Sequence, residues 1–197
     1  MEIDVIKLKT PLREEDVKGL KVGQRVLLSG YIITGRDRIH KYLFEERPSK
    51  TEIPFTIEGG VLYHCGPIIE ETDKGYRFIV GGPTTSSRME PYEWFIIKEY
   101  GIRGIIGKGG MGQNTLEAMA EVGCVYFHTI SGAAAYLADR VVEVKGVWKE
   151  EFGLPEAMWY LYVEDFPLIV TMDANGRSLH EEIKKASYSK LRELLEE

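Results

Sequence analysis

Apolar runs recur along the chain with a spacing that switches between strand-like and helix-like, and glycine marks most of the joints. Residues 2–8 read as extended, and Thr10-Pro11 opens a short helix, with threonine as cap and proline at the first helical position. A strand follows from Gln24 to Thr34, then a helix from Asp37 to Glu46 that Pro48 ends. Residues 48–60, rich in proline, glycine and polar side chains, read as a surface loop. Val61–Cys65 and Tyr76–Val80 are strand-like, with Gly66-Pro67 as the turn between them. Helices over Pro91–Tyr100, Thr115–Val122 and Gly132–Ala138 alternate with strands over Arg103–Ile106 and Cys124–Ile130. The last third predicts strands at Val141–Val147, Met158–Val163 and Leu168–Met172. A charged helix from Ser178 to Glu197 closes the chain, with Ser178 and Glu181 as a capping box. The alternation predicts a single α/β domain over residues 1–197, with a largely parallel core sheet and helices packed on it.

Composition narrows the function classes. Hydrophobic residues make up 44% of the chain and charged residues 28%, ordinary values for a globular protein. The net charge of −6 argues against a broad nucleic-acid surface, which needs clustered cations facing phosphates, but leaves room for a local basic pocket. No apolar run approaches the ~20 residues a membrane span requires. The acidic opening Met1-Glu2-Ile3-Asp4 lacks the basic-then-apolar pattern of a signal peptide, so a cytoplasmic location is expected. The two cysteines, Cys65 and Cys124, form no Cys-x-x-Cys pair, and an iron–sulfur cubane wants about four thiolates. On its own the chain is expected to hold no cluster and no metal.

Three glycine-containing loops each follow a strand and present a cation: Ser29–Asp37 with Arg36 and with His40 one turn beyond, Gly81–Met89 with Arg88, and Gly107–Gly112 with Lys108. In open α/β sheets, ligands collect beyond the carboxyl ends of the strands, where such loops converge. Arginine suits a carboxylate because its planar fork donates two parallel hydrogen bonds. The second loop sets four hydroxyls, including Thr84 and Thr85, ahead of Arg88; one is enough to cap the next helix, and the others make a hydrogen-bonding face. The third loop fits G-x-G-x-x-G, the dinucleotide fingerprint. The acidic residue the fingerprint needs at the end of the next strand is missing, because that strand ends at His128-Thr129-Ile130. A lysine offered to an anion from a glycine cradle, with Gly109 beside it, fits the loop better. His64 and His128 read as core or edge residues, and His180 belongs to the exposed final helix.

Taken in order along nearly the whole chain, several stretches resemble the β subunit, or C-terminal domain, of class I fumarases and L-tartrate dehydratases. They are Ser29-Gly30 with Thr34-Gly35-Arg36-Asp37 and His40, Gly66-Pro67, Gly82-Pro83-Thr84-Thr85 with Arg88-Met89, and Gly107-Lys108-Gly109-Gly110-Met111-Gly112. Ser131-Gly132-Ala133-Ala134-Ala135, Pro155-Glu156-Ala157-Met158-Trp159 and Asp165-Phe166-Pro167 complete the set. The resemblance implies a swivelling β/β/α-type layered domain. It also implies a partner α subunit that carries a four-iron four-sulfur cluster, expected in an α2β2 assembly. Carried over by position, Arg36, Arg88 and Lys108 bind substrate carboxylates with Thr85 and Gly109 beside them, and Thr84 is the hydroxyl at the reacting carbon. The chemistry is consistent with that division: hydroxide leaves poorly without a Lewis acid, while charge pushed into a carboxylate needs fixed cationic donors. Thr84 is the first candidate for general base and His40 the chemically easier alternative.

The expected activity is therefore reversible hydration of fumarate to malate. Dehydration of tartrate is the main rival, since both substrates are four-carbon dicarboxylates. A freestanding nucleotide-binding domain built on Gly107–Gly112 is a lesser alternative, and it predicts NAD or ATP binding by the isolated chain.

Overall fold

A computed structural model describes residues 4–73 and 75–196. The strands are β1 (Val5–Lys9), β2 (Arg25–Thr34), β3 (Val61–Tyr63), β4 (Ile68–Thr72), β5 (Gly75–Val80), β6 (Gly104–Gly107), β7 (Val125–His128), β8 (Val141–Trp148) and β9 (Met158–Met172). The helices are α1 (Glu14–Lys18), α2 (Asp37–Glu46), α3 (Glu90–Tyr100), α4 (Gln113–Val122), α5 (Ala134–Ala138) and α6 (Leu179–Glu196). The fold is mixed α/β with a largely parallel sheet core. Among the described residues, seven strands lie in the order β1-β2-β3-β6-β7-β9-β8, and β4 and β5 form a separate hairpin. The pairings β1–β2, β2–β3, β3–β6 and β6–β7 are all parallel. The long β9 runs antiparallel against both β7 and β2, so β2, β3, β6, β7 and β9 close into a ring.

Period-two alternation sorts the strand side chains onto two faces. Tyr63, Ile106, Val125 and Phe127 join Leu28, Trp159 and Phe166 in one buried cluster. Their neighbours Leu62, Ile105 and Tyr126 face the other way, onto Ile39 and Leu43 of α2, Ile96 and Ile97 of α3 and Met119 of α4. Both faces are buried, which explains why β3, β6 and β7 read as continuous apolar runs.

Three expectations need correction. The first helix starts at Glu14, not at Thr10-Pro11: that peptide bond is cis, and the helix is opened by Arg13, whose backbone N–H donates to the Asp16 carboxylate at 2.7 Å. Residues 2 and 3 of the first predicted strand lie outside the described residues. The stretch after Gly66-Pro67 is the strand β4, hidden in the sequence because only one of its side chains, Ile69, is buried. The two strands predicted around Pro167 are a single fifteen-residue strand. Asp165 absorbs the break at φ 46°, beside the register shift between Leu28 and Gly30, and its N–H donates to Ser29 Oγ at 3.0 Å. Of the capping box expected at α6, the structure gives one half, the Glu181 N–H donating to Ser178 Oγ at 3.4 Å.

Candidate active site

Because β2, β3, β6 and β7 run parallel, their carboxyl ends share one edge of the sheet, and the chain leaves that edge at Gly35-Arg36, His64, Lys108 and Thr129. The hydroxyl-rich loop arrives there after the β4–β5 hairpin. Its Thr84 N–H donates to the His64 carbonyl at 2.7 Å, and Cys65 pairs with Pro83. Thr85 pairs in turn with Lys108, and the Ser86 N–H donates to the Lys108 carbonyl at 3.0 Å. The second and third predicted loops are thus joined backbone to backbone.

Arg36 and Arg88 come together through an acid. One Asp37 carboxylate oxygen lies 3.0 Å from Arg88 Nη2 and 3.9 Å from Arg36 Nη2. Arg36 is partly buried, with Nε 3.4 Å from Glu156, in ion-pair range without hydrogen-bond alignment. The other Glu156 oxygen accepts the Arg38 N–H at 3.0 Å, so one carboxylate steadies both the arginine and the first turn of α2. The preceding Thr34 is fixed by the Trp159 N–H, which donates to its hydroxyl at 3.0 Å. Arg36 crosses directly over Gly66. A Cβ there would overlap the arginine side chain and stand 2.8 Å from the Pro155 carbonyl. Lys108 Nζ donates to Ser131 Oγ at 3.3 Å. Thr84 is half-buried, and Thr85 and Gly109 are exposed. Gly109 and Gly110 take successive positive φ angles of 83° and 75°, the backbone freedom that this turn requires.

His40 lies beneath these loops. It is fully buried, with Nδ1 2.7 Å from the Arg36 carbonyl and Nε2 2.9 Å from Glu93. His64, equally buried, places Nε2 3.0 Å from the same Glu93 oxygen and Nδ1 2.8 Å from Ser86 Oγ. Ser86 Oγ lies 2.8 Å from the Tyr126 hydroxyl. Ser86 therefore hydrogen-bonds inward, and no side chain caps α3. Burial holds His64 below its ordinary pKa. For Glu93, burial acts upward, but the attraction of His64 and His40 and their hydrogen bonds outweigh it and hold the acid at about 2. Donor atoms of His40, His64 and Glu93 lie within 4.8 Å of one another, close enough to surround a metal ion. The N···O separations of 2.9 and 3.0 Å are hydrogen-bond lengths, with the carboxylate oxygen accepting from both rings. The cysteines do not suit an iron–sulfur cluster: both are buried, and burial pushes Cys65 up to about 12 and Cys124 well above its ordinary value.

The Gly107–Gly112 loop does lead from a strand into a helix, as the dinucleotide fingerprint requires, but the helix end is taken. Glu90 accepts the Gly112 N–H at 2.6 Å, the Thr115 N–H at 3.3 Å and the Thr115 hydroxyl at 2.7 Å. A carboxylate already sits where a pyrophosphate would dock.

The fumarase C-terminus family model matches residues 1–183. The chain belongs to that family. It is 49% identical over 193 residues to a protein of Geobacillus stearothermophilus named as a candidate class I fumarate hydratase, covering 98% of this chain and 37% of that one. The chain thus spans little more than a third of that relative. It is 42% identical to a candidate L(+)-tartrate dehydratase subunit beta of Methanocaldococcus jannaschii, covering 93% and 95% of the two chains. The L(+)-tartrate dehydratase subunit beta of Escherichia coli (strain K12) is 36% identical, with coverage of 90% and 88%. Among the residues around the candidate site, Glu90, Glu93 and Glu156 are the ones sequence reasoning passed over, while Asp37 and Ser86 stand in the loops it singled out and His64 in a run it read as core or edge. Glu156 had a signal, since it stands in the quoted Pro155–Trp159 run.

Proposed function

We propose that the chain is the β-type half of a hydro-lyase that interconverts fumarate and malate, with L-tartrate dehydration as the second reading. The observation that carries it is the pairing of Arg36 and Arg88 on one Asp37 oxygen, beside a loop whose backbone is joined to that of Lys108. Asp37 stands where a substrate carboxylate would be gripped. Fumarate is placed first because the relative at 49% identity carries the fumarate hydratase name, and the tartrate dehydratase subunits stand at 42% and 36%.

In this reading residues 1–197 form one swivelling β/β/α-type domain that closes its cationic edge over the substrate. Arg36, Arg88 and Lys108 bind the carboxylates, with Thr85 and Gly109 lining the turn. When the proton α to a carboxylate leaves, the C–H electron pair moves into that carboxylate, and these fixed cations stabilise the charge. Thr84 is favoured over His40 as the group at the reacting carbon, because it is half-buried at the edge while His40 has no solvent exposure. Expelling hydroxide needs a Lewis acid, and the buried cysteines of this chain do not suit an iron–sulfur cluster. We assign it to a four-iron four-sulfur cluster on a separate α subunit, in a cytoplasmic α2β2 assembly. The freestanding nucleotide-binding reading is set aside, since Glu90 occupies the helix end it would use.

The test is anaerobic co-production with the large-subunit candidate and assay with fumarate, malate and tartrate. Turnover that requires both chains is expected, and the preferred acid decides between the two readings. A cluster-loaded complex that turns over none of them would refute the substrate assignment.

A further inference from the structure

The buried groups beneath the site form one continuous hydrogen-bonded chain, and the partners fix its direction. The Tyr126 hydroxyl donates to Ser86 Oγ, because the single Ser86 proton is taken by His64 Nδ1. Ser86 then donates to His64 Nδ1, and His64 Nε2–H donates to Glu93. From the other side, His40 meets an acceptor at each nitrogen, the Glu93 carboxylate and the Arg36 carbonyl, so it carries a proton on both. One proton assignment then serves every link, with both rings on Glu93 Oε2 and Oε1 left without a partner, and an imidazolium balances the carboxylate. The ends of the chain matter most. One end is the backbone of Arg36, and the other is the Tyr126 hydroxyl, which lies against Gly107 at the start of the Lys108 loop. In the middle, Ser86 takes its N–H to the Lys108 carbonyl, while the His64 carbonyl holds Thr84. Gly107 is obligatory here: a Cβ would overlap Ser86 and stand 2.8 Å from the Tyr126 hydroxyl.

We propose that Glu93, His40, His64 and Ser86 are positioning residues: they register the Arg36, Thr84–Arg88 and Lys108 loops against one another from below without touching the substrate. This rests on the hydro-lyase reading for its kinetic consequence and on the geometry alone for its spectroscopic one.

Three measurements test it separately. In the imidazole 15N spectrum of the full chain, His40 is expected to be protonated at both nitrogens and His64 at Nε2 only. A singly protonated His40, or a stoichiometric metal ion released by chelator, overturns the network. Ser86→Ala, which keeps both charges, is expected to move the amide resonances of Gly35 and Arg36 in the distant first loop as well as those of Lys108 and Gly109. Unmoved first-loop resonances overturn the coupling, whether or not the complex proves to be a hydro-lyase. In the complex with the α subunit, Ser86→Ala and Glu93→Gln are expected to lower kcat/KM by roughly 100-fold, the cost of ångström-scale misplacement, with KM raised in the fraction that remains folded. A purely structural role would lower the unfolding temperature and leave KM unchanged, and that result refutes positioning. If Glu93→Gln does not fold, Ser86→Ala carries the kinetic test alone.

Discussion

Arg36 owes its place to what is missing at residue 66. Its side chain lies across Gly66, and the space for a Cβ is already taken by the arginine and by the Pro155 carbonyl, a backbone atom with little freedom to retreat. Gly66→Ala is therefore expected to push Arg36 off its position near Glu156 and Asp37, raising KM for the dicarboxylate in the assembled enzyme. An unchanged KM would mean that Arg36 does not need this path. Arg88 is held differently, by the ion pair with Asp37 at 3.0 Å, and it is about half exposed. Removing its side chain costs little stability, since exposed pairs contribute ~0–1 kcal/mol. Its proposed contact with a substrate carboxylate is charge-assisted and worth ~1.5–3 kcal/mol. Arg88→Ala should thus assemble normally while kcat/KM falls by about 10- to 100-fold, as steady-state kinetics on the purified complex would show. Full activity in an assembled variant would take Arg88 out of the site.

Among the elements, α4 gives the clearest case of a helix whose terminus is satisfied from outside its own sequence. No side chain of α4 caps it, and Glu90, at the start of α3, supplies the carboxylate. Glu90→Ala is expected to lower stability by about 1 kcal/mol, the usual worth of a cap, which thermal unfolding would detect. The unaltered chain should show no NAD or ATP binding by calorimetry, and saturable binding would return the nucleotide reading to favour. The same element explains what the sequence could and could not reveal. The strand–helix alternation, the parallel core and the three cationic loops were all legible, because period and glycine placement report local structure directly. Glu90 was not, because its partners are more than twenty residues away. Glu93 left a trace that could have been read: it stands at i, with Ile96, Ile97 and Tyr100 at i+3, i+4 and i+7, an acid on the buried stripe of α3. Its two histidines come from α2 and the end of β3, and only the tertiary fold brings them to it.

At the scale of the whole molecule, that buried cluster ties stability to pH. His64 is held below its ordinary pKa of 6.5 by burial, so the unfolded chain takes the proton first. Once pH falls below 6.5 the unfolded state binds more protons than the folded one, and stability must fall with pH. Burial lowers His128 and His180 in the same direction, which adds to the slope. Glu93 acts lower down. Its folded value of about 2 lies under the ordinary 4.5, so its contribution is complete above 4.5 and is lost as pH drops toward 2. These four groups carry the same sign, so the urea midpoint of the full chain is expected to decline from pH 6 to 5, below the range in which the imidazolium assigned to His40 acts oppositely, and more steeply below 4.5. His64→Gln keeps a side-chain donor for Glu93 but cannot titrate, so it should start from a lower midpoint at pH 7 and lose less of it between pH 6.5 and 5. A midpoint that stays level from pH 6 to 4 would mean that these histidines are protonated as easily in the folded chain as in the unfolded one, and the neutral state assigned to His64 would fall with it.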